Sequence, residues 1–161
     1  MAVDMFLKLD GVKGESKDHK HKDEIDIQSF SWGHSQTGTF GGGGGGGAGK
    51  VSVHDISVSK FMDKASTVLM NYCCSGKHIP SGLITVRKAG EKPLEYLKIK
   101  LTDIIISSVQ HAGHGGGDLL SESLTLNFAK YHVEYQEQQP DGSGKPAGEH
   151  GWDVKANTKA G

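Results

Sequence analysis

Along most of this chain apolar residues recur at every second position, the period of a half-buried strand. Val3, Met5, Leu7 and Leu9 alternate with Ala2, Asp4, Phe6 and Lys8 and predict a strand close to the start. Ile25, Ile27, Phe30, Trp32 and His34 predict a second strand. Its phase slips by one between Ile27 and Phe30, which predicts a β-bulge at 28–29. Residues 51–62 predict a third strand, with Ile56, Val58, Lys60 and Met62 on one phase and Ser57, Ser59 and Phe61 on the other. A short strand is expected at 83–88. Residues 94–101 and 103–109 form either a strand pair or one long bent strand. Leu124, Leu126 and Phe128, then Tyr131, Val133 and Tyr135, predict a long strand with another phase slip at 129–130. Trp152 and Val154 lie in a last short strand at 151–155.

One stretch breaks this period. In DKASTVLMNYCCSG, from Asp63 to Gly76, Ala65, Val68, Leu69, Tyr72 and Cys73 are spaced by three and four and share one face of a helix. Asp63, Ser66 and Asn71 fall on the other side. Asp63 is placed to cap the start and Gly76 to end the helix in a left-handed conformation. A twisted sheet with one apolar face must cover that face. One helix covers part of it, and the sheet must curl on itself for the rest. The expected fold is therefore mainly β: a small closed or nearly closed antiparallel barrel, one flanking helix at about 63–75 and a long Gly-rich loop. Strand edges left unsealed would be open to other chains.

Composition narrows the function. The 161 residues suit a single domain, 1–161, and the net charge of −1 gives no basic field for nucleic acid. No apolar run approaches the length of a membrane helix, and Asp4 and Lys8 interrupt the N-terminal apolar stretch, so neither membrane insertion nor a signal peptide is expected. Cys73 and Cys74 are adjacent on the helix, where a disulfide would be strained, and are read as free thiols.

The motifs that invite chemistry do not complete a site. Within the segment Gly41, Gly42, Gly43, Gly44, Gly45, Gly46, Gly47, Ala48, Gly49, the stretch from Gly44 through Lys50 looks like a phosphate loop, but Val51 stands where a Ser or Thr is needed and a strand follows instead of a helix. It reads better as a connector that is costly to order and that orders against something else. His19 and His21 flank Lys20 in the charged stretch 11–24, which reads as a solvated surface loop. His111 and His114 flank Ala112 and Gly113 in a second glycine loop, and only Asp118 stands nearby as a further ligand. No catalytic, cofactor or metal residue is predicted. Trp32, Trp152 and the tyrosines, on strand faces, suit packing. The profile is that of a non-enzymatic assembly part. The alternative is a stand-alone β-barrel module binding a metal or glycan through loop histidines and aromatics.

MAVDMFLKLDGVKGES at 1–16, EIDIQSFSWG at 24–33, GKVSVHDISVSKFMDKAS at 49–66, CSGKHIP at 74–80 and TLNFAKYHVEYQ at 125–136 resemble, in order, the Hcp family of bacterial type VI secretion systems. The resemblance implies a small β-barrel with one helix, forming hexameric rings that stack into a hollow tube. It implies a surrounding contractile sheath, a spike protein at the tip, and small effector proteins held in the lumen during export. It also implies synthesis in the bacterial cytoplasm and export to the extracellular space or a target cell, without a catalytic role or a cofactor. By position, the Gly-rich segment 39–50 corresponds to the family's protruding loop toward neighbouring subunits or rings. The loop at 110–117, with His111, Gly113 and His114, corresponds to a place where the family turns toward the lumen. Similarity to phage tail-tube proteins belongs to the same implication.

Overall fold

The computed structural model describes residues 2–38, 40–41 and 49–161. Among the described residues, eleven strands and one helix follow in the order β1 (Val3–Leu9), β2 (Ile25–Asp26), β3 (Ser29–Ser31), β4 (His34–Ser35), β5 (Ser52–Val53), β6 (Ile56–Phe61), α1 (Ser66–Ser75), β7 (Ile79–Lys88), β8 (Leu94–Ala112), β9 (Ser121–Gln138), β10 (Gly144–Asp153) and β11 (Thr158–Lys159). All pairings are antiparallel. The main sheet runs β11-β10-β9-β8-β7-β1-β2, and β9 also pairs with β6, which pairs with β3. β4 and β5 form a separate two-stranded arm. Among the described residues no ladder joins β1–β2 to β3–β6, so hydrogen bonding does not close the sheet into a barrel.

The phase slip after Ile27 marks that seam. It is not a bulge inside one strand: Ile27 N–H donates to Met5 O on β1, and Gln28 N–H donates to Ser59 O on β6. The chain leaves one edge and joins the other, and alternation resets because the partner strand changes. Near 129–130 the register is unbroken, with Thr102 opposite Lys130 and Ile104 opposite Phe128. β8 is one long strand in which Asp103, between them, takes a left-handed φ of 54°, and its register shift against β9 lies further on, between Ile106 and Ser108. There Phe128 and then Tyr131 on β9 are both buried. A strand also begins earlier than expected, since β7 runs from Ile79 through Pro80.

The core is formed by the inward phase of the strands: Leu7, Leu9, Ile25, Ile56, Val58, Ile84, Ile99, Leu101, Ile104, Leu124 and Leu126, each at most 2% exposed. α1 closes one side, with Ala65 and Leu69 buried and Val68, Tyr72 and Cys73 packed against the core. Gly76 ends it in the left-handed region, φ 67°, its N–H donating to Tyr72 O. The start differs from expectation. The helix begins at Ser66, and Asp63 organises the turn before it: its carboxylate accepts from Ala65 N–H, while Ser66 Oγ accepts from Asp63 N–H. Ser66, expected on the outer side, is fully buried.

The charged stretch 11–24 is docked. Its two ends run alongside each other, with Gly14 N–H donating to Asp23 O and Ser16 N–H to Glu24 O. Arg87 on β7 grips Asp18 with both terminal nitrogens, at 2.9 and 2.6 Å, and donates to Asp4 at 3.0 Å. His21 stacks on Phe6, ring centroids 4.3 Å apart, between the carboxylates of Glu24 and Glu95. His19 lies in the outer turn of this stretch, but His21 is buried.

Candidate functional site: edges, loops and a buried ion pair

Short strands flank the seam. β2 pairs with β1 only at Phe6 and Leu7, so the start of β1 has a ladder partner on the β7 side alone. β3 covers β6 only from Ser57 to Ser59, leaving Lys60 and Phe61 without a partner on that side. Between these edges lies a cleft of about 530 Å³ lined by Val3, Met5, Phe61 and Met62 together with Asp4, Glu15, Asp26 and Asp63. Burial pushes the Asp26 carboxyl up, and the neighbouring charges of Asp63, Asp18 and Asp4 act in the same direction. Val3, Phe61, Leu119 and Leu120 are exposed, and Met62 N–H donates to Leu120 O, which ties the rim together. Open backbone edges beside exposed apolar side chains are the mark of a surface that another chain covers.

Beneath this rim lies a buried polar cluster that sequence reasoning did not identify. Lys60 follows the inward phase of β6 and is fully buried. Its ammonium has four acceptors within hydrogen-bond reach for its three N–H donors: Glu122 on β9, Asp63 at 3.0 Å, Ser66 Oγ at 3.2 Å and Phe61 O. Ser66 also donates to Glu122 Oε1, and the other Glu122 oxygen lies 2.7 Å from His111 Nε2. Burial pushes the Glu122 carboxyl up. The Lys60 ammonium, His111 and Ser66 outweigh it and hold the group below the usual carboxylate range. The signal was present: Lys60 shares the phase of Ile56 and Val58, and a lysine on an inward phase needs a buried acid.

The loop residues divide. His111 is a strand residue near the end of β8, engaged with Glu122 and not free in a loop. The loop proper spans 113–120 and is exposed throughout. Gly113 leaves room for the Leu120 side chain, since a Cβ there would stand 2.5 Å from Leu120 Cδ2. His114 folds back over Gly117, whose N–H donates to His114 O. Of the Gly-rich segment, Gly41 lies in an exposed turn and Gly49 lies close to Gln36 and Thr37. Gly42 to Ala48 lie outside the described residues. The β4–β5 register, His34 opposite Val53 and Ser35 opposite Ser52, places the whole segment within the connection of an antiparallel arm.

Two further groupings arise, the first from strand register and the second from the arm meeting the main sheet. Glu134 and Glu149 stand directly opposite each other on β9 and β10, with His132 one step along on the same face; His132 Nε2 lies 2.6 Å from Glu149 and 3.8 Å from Glu134. These three offer one donor atom each within 4.8 Å of one another, on an open surface. The second grouping is Tyr131, whose hydroxyl lies between His34 and His150. The thiols of Cys73 and Cys74 are free.

A mainly antiparallel β-fold with one short helix, a flanking arm and unsealed edges defines a class of assembly proteins. The chain belongs to the family described as "Type VI secretion system effector, Hcp", which it matches over residues 6–135. It is 53% identical to Protein hcp1 of Pseudomonas aeruginosa over 163 aligned positions, covering 99% of this chain and all of that one. The fold superposes with a TM-score of 0.93 and 31% identity on a structure described as that of a type six secretion system protein, covering 99% of this chain and 100% of that one. Hcp1 from Salmonella typhimurium gives a TM-score of 0.78 at 37% identity, with 99% and 100% coverage.

Proposed function

We propose that this chain is the subunit of the inner tube of a type VI secretion system. It is one Hcp-like domain, a nearly closed antiparallel barrel whose seam the chain crosses at residues 27–28, flanked by α1. Six copies form a ring, and rings stack into a hollow tube within a contractile sheath, tipped by a spike protein. Small effector proteins travel in the lumen, and the ring is exported with them. The role is structural and non-catalytic. The observation that carries this reading is the set of unsealed edges at the seam, rimmed by Val3, Phe61, Leu119 and Leu120.

In this reading the Gly-rich segment, presented by the β4–β5 arm, reaches a neighbouring subunit or ring. The 113–120 loop borders the lumen, with Gly113 and His114 available to cargo and His111 held back by Glu122. Native mass spectrometry and electron micrographs of the purified protein test the assembly: rings of six are expected. Monomers alone at micromolar concentration would overturn it.

A further inference from the structure

We propose that His34, Tyr131 and His150 form a binding site for a divalent transition metal, best suited to Cu²⁺. Tyr131 is 2% exposed, yet its hydroxyl reaches a cleft of about 300 Å³ beside the arm. His34 Nε2 lies 2.8 Å and His150 Nε2 3.0 Å from that oxygen. The three residues come from three elements: β4, β9 and β10. Their positions in sequence, 34, 131 and 150, conceal the set. Without a metal the arrangement is a hydrogen-bonded chain, in which the phenol donates to one imidazole and accepts from the other.

The spacing also fits coordination. Two ligands held about 2.0 Å from a metal at right angles stand about 2.8 Å apart, and nitrogen and oxygen donors in tetragonal geometry favour Cu²⁺ or Ni²⁺. Among the first-row divalent ions Cu²⁺ binds such donors most tightly. The donor types suit the role: each histidine turns its Nε2 and Tyr131 its phenol oxygen to the same cleft. On binding, the phenol O–H bond breaks and its proton passes to solvent, while the imidazole that had donated its Nε2–H exchanges that proton through solvent to its Nδ1. Both Nε2 lone pairs and the phenolate oxygen then take up the metal, whose charge offsets the burial penalty. Gln36 borders the cleft, and Trp152 lines it with a buried indole N–H that has no hydrogen-bond partner among the described residues. The cleft leaves a further coordination position open to solvent.

The consequence is mechanical. His34 lies on the arm, while Tyr131 and His150 lie on the main sheet, so one bound ion would clamp the arm against the sheet. The inference does not depend on ring formation. Native mass spectrometry of the assembled protein with Cu²⁺ added reads subunit number and copper number separately. One Cu²⁺ per chain is expected, with a visible phenolate-to-copper charge-transfer band and nitrogen couplings in the electron paramagnetic resonance spectrum. Tyr131→Phe should abolish the band. His34→Gln and His150→Gln, both at exposed positions, should each weaken binding by at least about tenfold. Should Tyr131→Phe fail to fold, the two histidine variants still decide. Absence of copper binding would overturn the proposal. So would unchanged affinity in both histidine variants, which would place the ion elsewhere, such as at His132 and Glu149.

Discussion

At the residue scale, stability is concentrated in a few paired charges. Lys60 and Glu122 side chains are both fully buried, so removing one partner leaves the other charge desolvated. Glu122→Gln is expected to cost about 3–5 kcal/mol, which thermal unfolding would record as a loss of roughly 10 °C. Replacing both by apolar residues, Lys60→Met with Glu122→Leu, should cost much less than the sum of the single changes, because neither member of the pair is left as a fully buried charge and Asp63, which loses its ammonium, keeps some contact with solvent. A double variant as damaged as the sum would show that the two charges act independently.

Asp18 gives a pH-dependent case. The Arg87 guanidinium holds its carboxyl well below the usual carboxylate range, against an opposing effect of burial. A depressed folded-state pKa stabilises the fold above the unfolded value, about 3.9, and that contribution is lost as pH falls below it. Asp18→Asn should therefore lower the melting temperature at neutral pH. The deficit should shrink as the pH is taken down below about 4, where Asp18 of the unfolded chain takes up a proton while the folded carboxylate, held by Arg87, still resists it. A deficit constant with pH would mean that packing, not the ion pair, is what was lost.

At the scale of elements, the docked stretch 11–24 depends on close backbone approach. A Cβ on Gly14 would stand 2.4 Å from Glu24 O and 2.7 Å from Ile25 Cα, so the two chain segments could not remain side by side. Gly14→Ala should destabilise by about 1–3 kcal/mol and speed proteolysis within 14–24. Equal resistance to protease would mean that the stretch adjusts without undocking. On α1, Cys74 is exposed while Cys73 packs against the core. Cys74→Ser is expected to leave both stability and assembly unchanged, measured by melting temperature and native mass.

At the scale of the whole molecule, the Gly-rich segment separates folding from assembly. Seven consecutive glycines offer no side chains to a core. Loop-closure entropy changes by only ~0.6 kcal/mol per doubling of length, so halving the run should move the melting temperature little. A shortened arm reaches less far, at roughly 3.3–3.6 Å per extended residue, and tube length in micrographs should fall. Early unfolding with normal tubes would place the segment in the fold and not in stacking.

Local pattern was enough to determine a mainly β fold with one short helix, that helix's end and the inward faces of the core, but not closure of the sheet. Alternating positions from Leu7 to Leu126 turn one face inward whatever the partner strand, and Gly76 ends the helix because few other residues tolerate its φ. The same local logic put Lys60 on the inward phase but could not supply its partner. Glu122 lies 62 positions away and meets it only because β6 pairs with β9. Tertiary structure alone decided that the slip after Ile27 is a change of sheet edge, that Arg87 pins the charged stretch, and that His111 belongs to a strand. It also brought His34, Tyr131 and His150 together. Periodicity records which face a residue takes, because that depends on the backbone around it. Which residue it faces depends on strand register and sheet order, which arise from contacts among segments far apart in the chain.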